Sequence, residues 1–453
     1  MDLLSATVKP YPWGTRDAIA DLQGRPVPAP VPEAELWMGA HPSAPSGVAW
    51  TTLDEVIAAA PERTLGVECA ARFGGRLPFL LKVLSAAKAL SIQVHPSRAQ
   101  AEAGFLAESE RGVAPGDPGR NYVDDWPKPE LLYALTPFEV AAGLRAPDDA
   151  AALLRALAVA PLEPLAAGLA AAPATGPATG PATGPAAGAG AGPAAAPAAG
   201  PAAGPAAGAG ADVMAAALAS VLRWPPAQRA SLIADVVAAC ARLAAAGGPY
   251  AAACAAAVRV AAERPGDIGV VALLLMRHAV LQPGQAMFMP AGGLHAYLRG
   301  TGIELLANSD NVVRSGLTGK HVDVPELLKL LDPAVAVPVL APRVLPDGIA
   351  WFETPAPEFR LHVIDLSGPP ASPGVAGAPG VAGAASPSPP LALPGTGPRI
   401  VLCLDGACTL RAASAATLDL SRGESCFIPF ADGPVAATGH ARLILATPGP
   451  APD

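Results

Sequence analysis

IGVVALLLMRHAVLQPGQAMFMPAGGLHAYLRGTGIELLANS, residues 268–309, decides the fold. Apolar runs of about five to eight residues alternate with PG, GG and GTG breaks, and Gly and Pro are the residues that turns require. This punctuation predicts a set of antiparallel strands closing into an all-β barrel, with strand sequence resuming at 268. Upstream, LPFLLKVL (77–84), LSIQV (90–94) and LLYAL (131–135) read as buried strands of the same unit. Downstream, IVLCLDGACTLRAASAATLDLSRGESCFIPF (400–430) again reads as short strands and turns, and predicts a second β module.

Between the strand-rich pieces, DDAAALLRALAVA and LIADVVAACARLAAA carry apolar residues at three- and four-residue spacing among good helix formers. The expected organisation is mainly β with a helical insertion. Residues 1–145 form the first part of a catalytic barrel and 146–262 a helical domain. Residues 263–330 complete the barrel, and 331–453 form a C-terminal barrel. Two tracts interrupt this order. Residues 172–211 are almost wholly Ala, Pro, Gly and Thr, and 367–398 are rich in Pro, Gly, Ser and Ala. The first has almost no side chain worth burying and reads as a disordered insertion. Its period of four excludes collagen, which needs Gly at every third residue.

The 453-residue chain is long enough for two or three domains. A net charge of −8 argues against a nucleic-acid surface, which needs clustered Lys and Arg. A few local cations could still hold a small anionic substrate. Much of the 51% hydrophobic content is alanine, and no long run rich in Leu, Ile, Val or Phe marks a membrane span. No signal peptide is visible at the N-terminus, and the six cysteines show no CxxC pair. A cytoplasmic protein with reduced thiols is expected.

Chemistry concentrates in four places. In Gln93-Val94-His95-Pro96, strand alternation puts Ser91, Gln93 and His95 on one face, with Ile92 and Val94 behind. A buried polar strand face satisfied by its neighbours is the bland alternative. In Lys128-Pro129-Glu130 the proline enforces extended backbone, so Lys128 and Glu130 share a face. A solvated surface pair is the usual reading of such a couple. LLYAL follows directly, however, and a buried carboxylate there needs a cation or a metal. His295 sits where a strand re-enters after GG, a setting in which a lone histidine is more often structural. Imidazoles with a carboxylate suit zinc, and the absence of cysteine points to a catalytic site rather than a closed structural one. The fourth place, GIELLANSDNVVRSGLTGKHVDVPELL (302–328), gathers Glu304, Asn308, Asp310, Asn311, Arg314 and Lys320. Arg314 and Lys320 suit a phosphate, unless the segment is only a polar cap on the barrel.

The segments YPWG (11–14), AELWMGAHPSAPS (34–46), LPFLLKVLSAAKALSIQVHP (77–96) and NYVDDWPKPELLYALTPFEVAAGLR (121–145) fall in the order of one known family, followed by 282–327. In these the chain resembles the type I mannose-6-phosphate isomerases, also called phosphomannose isomerases. The resemblance implies cupin (jelly-roll) barrels with a helical domain inserted in the catalytic one. It implies one zinc ion per chain, held by Gln93, His95, Glu130 and His295, and it marks Arg314 as catalytic. Trp13, Lys82, Ser91, Lys128, Tyr297, Glu304, Asp310 and Lys320 match other pocket positions. Gly319 and His321 stand where the family more usually has proline and tyrosine, and the C-terminal block matches only loosely.

The implied reaction interconverts mannose 6-phosphate and fructose 6-phosphate through a cis-enediol, serving mannose catabolism or GDP-mannose synthesis. Glu304 is expected to carry the proton, because a guanidinium hardly ever gives one up. Arg314 would stabilise developing negative charge, and Lys320, with Lys82 or Ser91, would hold the phosphate. The expected partner is a small sugar phosphate, with no nucleic acid and no membrane; a monomer is compatible with the sequence, which fixes no oligomeric state. Two alternatives remain at this point. One is another sugar-phosphate isomerase or epimerase with the same metal site. The other is a non-catalytic cupin, which would not be expected to carry Glu304, Arg314 and Lys320 together.

Overall fold

The computed structural model describes residues 1–172, 205–366 and 389–450. Most of both low-complexity tracts, 173–204 and 367–388, lies outside the described residues. Where described, the ends of the tracts depart from the expectation. Residues 205–211 open the helix Pro205–Leu222, and Leu391–Ala392 is a short strand paired with Ala436–Ala437.

An eleven-stranded and a nine-stranded sheet carry the fold, with helices covering one side of the first. The strand Phe79–Ala86 is buried at every position, because it lies between Glu35–Met38 on one side and the long strand His295–Ala307 on the other. Both of its faces meet protein, so apolar residues occupy both faces and only Lys82 and Ser85 are polar.

The 268–309 stretch departs from its sequence reading in two ways. Gly269–Leu274 is a helix, not a strand, and all six of its residues are buried. A short, wholly apolar run has no polar residue to reveal its period, so strand and helix cannot be told apart there. Gly300-Thr301-Gly302 is not a turn, since one strand runs unbroken from His295 to Ala307. Its first part pairs with Phe138–Leu144, and its second with Phe79–Ala86 and Glu130–Ala134. The glycines permit the change of neighbour. A Cβ on Gly300, whose φ is +136°, would lie 2.8 Å from the Phe138 Cα; one on Gly302 would lie 2.8 Å from the Tyr133 carbonyl oxygen.

The helical region comprises Pro147–Leu157, Glu163–Ala170, Pro205–Leu222, Pro226–Ala246 and Ala251–Glu263. Its apolar faces bury Leu153, Leu157, Leu218, Val236 and Val260 in one core with Ile92, Val94 and Leu317. The helices therefore back directly onto the strand that carries Gln93. A second core joins the two sheets, packing Phe79, Leu81 and Ile303 against Phe352, Phe359, Phe427 and Ile444. The chain's own start joins the nine-stranded sheet, where Asp2–Leu3 pairs with Cys426–Phe427.

Candidate active site and metal centre

Strand register brings His95, Glu130 and His295 together from three separate segments. His295 stands opposite Gln93, and Glu130 opposite Leu306 and Met289. All three are buried, and their candidate donor atoms lie within 4.8 Å of one another. Each imidazole is oriented from behind. His95 donates its Nδ1 proton to the Asn311 carbonyl oxygen at 2.8 Å, and His295 donates to the Gly293 carbonyl oxygen at 3.1 Å. With Nδ1 protonated, the Nε2 lone pairs point inward. Each Nε2 lies 3.2 Å from a different oxygen of Glu130.

Burial pushes His95 down to about 4, so it is neutral near pH 7. Burial would raise Glu130, but Lys128, His95 and His295 outweigh it and hold this carboxyl well below the usual carboxylate range. The His95 Nε2 has no hydrogen-bond partner although it is buried. A lone pair facing an ionised carboxylate oxygen without a proton between them repels it, and a cation seated there removes the repulsion. Two imidazole nitrogens and one carboxylate oxygen are the donor set of a catalytic zinc site. Gln93 completes the ring, its carboxamide 3.1 Å from His295 Nε2 and its oxygen accepting from Ser91 Oγ at 3.3 Å. Turning the carboxamide over would present its oxygen to a metal.

The cluster opens into a cleft of about 740 Å³. The other sequence-predicted residues all line it, divided between two ends that differ in charge. At one end Glu304 faces Lys82 across the sheet, and their head groups lie 3.1 Å apart. Burial raises the Glu304 carboxyl above its ordinary value; Lys82 opposes this, and Glu130 and Glu35 add to it. Burial alone would depress Lys82, but Glu35, Glu304 and Glu130 outweigh it and hold the ammonium charged. Lys128 lies 3.0 Å from Glu130, and the Tyr297 hydroxyl reaches the same carboxylate at 3.5 Å. Three carboxylates around Lys82 speak against the phosphate role read for it in the sequence, since a phosphate dianion there would be repelled.

At the other end stand Ser91, Arg314 and Lys320. Arg314 is paired with Gln93 in register, and neither cation has a carboxylate partner among the described residues. Burial lowers both from their ordinary values, an effect that an incoming anion would offset. Trp13 stacks on Tyr11 with centroids 5.7 Å apart, and Lys320 sits 5.6 Å from the Tyr11 ring. Asp310 accepts from His41 Nε2 at 3.4 Å; burial would raise its carboxyl, but His41, Lys128 and Lys82 bring it down to about 2.

The sequence reading missed Tyr11, Glu35 and Trp37 as pocket residues, and His41, which is buried against Asp310. Trp37 donates to Glu35 at 2.6 Å and lies under Lys82, 4.7 Å from its ammonium. Their segments stood out, but no spacing singled out these side chains. Asn311 was noted only as part of a polar loop. Its backbone carbonyl orients His95, and no side-chain pattern encodes that contact.

Comparison with known proteins agrees with this geometry. Residues 1–146 match the family described as phosphomannose isomerase type I, catalytic domain. The chain is 32% identical to the mannose-6-phosphate isomerase of Escherichia coli K12 over 98% of both chains. It is 29% identical to the Rattus norvegicus enzyme of that name, over 81% of this chain and 82% of the other. A zinc-bound mannose 6-phosphate isomerase crystal structure superposes with a TM-score of 0.78 at 30% identity, covering 99% of both chains. An alanine variant of the Salmonella typhimurium phosphomannose isomerase gives 0.79, with the same identity and 99% coverage of both.

Proposed function

The chain belongs to the type I phosphomannose isomerases, and from that premise we propose that it is a zinc enzyme that interconverts mannose 6-phosphate and fructose 6-phosphate. The observation that carries the reading is the pair of buried imidazole nitrogens, each 3.2 Å from a different oxygen of an ionised Glu130, beside a cleft with an unpaired cationic end. His95, Glu130 and His295, with Gln93, would hold the metal. When bound, zinc supplies Lewis acidity that polarises the sugar's carbonyl and hydroxyl oxygens.

The chain's own residues do the rest. Glu304 carries the proton between C1 and C2, and its raised proton affinity keeps it able both to accept and to give one. Lys82 holds Glu304 in place and limits that rise. Arg314 stabilises the negative charge of the enediolate. Lys320 and Ser91 bind the phosphate, Lys128 keeps Glu130 ionised, and Asp310, Tyr297 and the Trp13 ring meet the sugar. The wider reading has the two sheets as cupin barrels, the catalytic one spanning 1–145 and 263–330 around the 146–262 insertion. The setting would be cytoplasmic hexose phosphate metabolism, in mannose catabolism or supply of GDP-mannose. Among the described residues no helix is long and apolar enough to cross a membrane.

The test is fructose 6-phosphate formation from mannose 6-phosphate before and after chelation. Activity is expected to vanish with the metal and return with zinc. Isomerase activity that persists in metal-free protein would refute the zinc role.

A further inference from the structure

The cleft also takes in a residue just past the helical insertion. Arg264 follows the helix Ala251–Glu263 and lines the same cleft as Ser91, Arg314 and Lys320. It forms no ion pair among the described residues, and its Nε is buried without a partner. Among the described residues its side chain makes one hydrogen bond, a long one, from Nη2 to the Ala89 carbonyl oxygen at 3.5 Å. Lys82 and Lys128, by contrast, each face a carboxylate.

The surrounding chain holds Arg264 in place. Glu263 accepts the Ala89 backbone N–H at 2.8 Å, tying the helix end to the segment that leads into Ser91. Just beyond, the Gly269 backbone crosses Gly316, two residues after Arg314. A Cβ on Gly316 would lie 3.0 Å from the Gly269 Cα. The Arg264 segment is therefore fixed to the strand of Ser91 on one side and to that of Arg314 on the other. A guanidinium with donors to spare, lining the same cleft as a hydroxyl and two cations without carboxylate partners, is suited to forked recognition of a tetrahedral dianion.

We propose that Arg264 is a specificity-determining residue that binds the phosphate of the substrate, so that the segment leading out of the helical insertion supplies part of the anion site. This rests on the sugar-phosphate reading above, which the wild-type assay tests separately. In the zinc-loaded enzyme, R264Q should raise KM for mannose 6-phosphate about tenfold, more than any fall in kcat, as expected for one charge-assisted hydrogen bond. Inorganic phosphate, used as a competitive inhibitor, should weaken by a similar factor. R264K should recover most of both, because it keeps the charge. An unchanged KM and unchanged phosphate inhibition in R264Q overturn the proposal. So does a loss in R264K equal to that in R264Q, which would mark a structural role. If R264Q does not fold, the wild-type enzyme decides through an arginine-specific dicarbonyl reagent. Phosphate should slow modification of Arg264, read by peptide mass, and absence of protection overturns the assignment.

Discussion

Glu304 and Lys82 stand opposite each other on neighbouring strands, so the carboxylate proposed to move the proton is built into the sheet rather than carried on a loop. Replacing Glu304 by Gln keeps the shape and one acceptor but removes the base. Turnover is expected to fall at least about a hundredfold, the low end of a general acid–base contribution. Zinc content should not change, because Glu304 is not among the metal donors, and incorporation of solvent deuterium at C2 should fall in parallel. Near-normal turnover and exchange would move the base elsewhere. The candidate donor residues themselves were legible in the sequence. Strand alternation put Gln93 and His95 on one face, and the proline put Lys128 beside Glu130. Their partners were not, because the Asn311 and Gly293 carbonyls belong to the backbone, which every residue has.

At the scale of elements, the strand His295–Ala307 links the candidate metal site to the proposed proton carrier. His295 opens it and Glu304 lies past its two glycines. The sequence showed Gly300 and Gly302 as breakers, but whether a glycine ends a strand or lets a neighbour approach depends on what lies across from it. Here that is the backbone of Phe138 and Tyr133. Gly300→Ala would combine a positive φ with a clash against fixed backbone, at a cost of about 1–3 kcal/mol. A lower Tm in a thermal melt is expected, with a fall in kcat because the two halves of the strand shift relative to each other. A variant that melts and turns over like the wild type would show that the strand tolerates a side chain there. The run Gly269–Leu274 shows the same limit of sequence reading, since its burial on all sides is a property of its neighbours.

At the scale of the molecule, the two sheets are not independent modules. Phe79, Leu81 and Ile303 of the first share one apolar core with Phe352, Phe359 and Phe427, and Arg442 donates to the Tyr133 hydroxyl across the join. A chain ending at residue 330 would expose that core to water. It is expected to be insoluble or to bind a hydrophobic dye, and to lack isomerase activity, whereas the full chain should unfold in one transition by near- and far-UV circular dichroism. A soluble, active 1–330 fragment would show that the second sheet is dispensable. By itself the sequence determined the strand-rich class, the helical region and the metal-donor types, because local periodicity and residue chemistry are written along the chain. Tertiary structure alone decided that the second sheet shares the first one's core, that Glu304 meets Lys82, and that Arg264 lines the cleft. Those contacts join residues far apart in the chain, and only the packed backbone sets their distances.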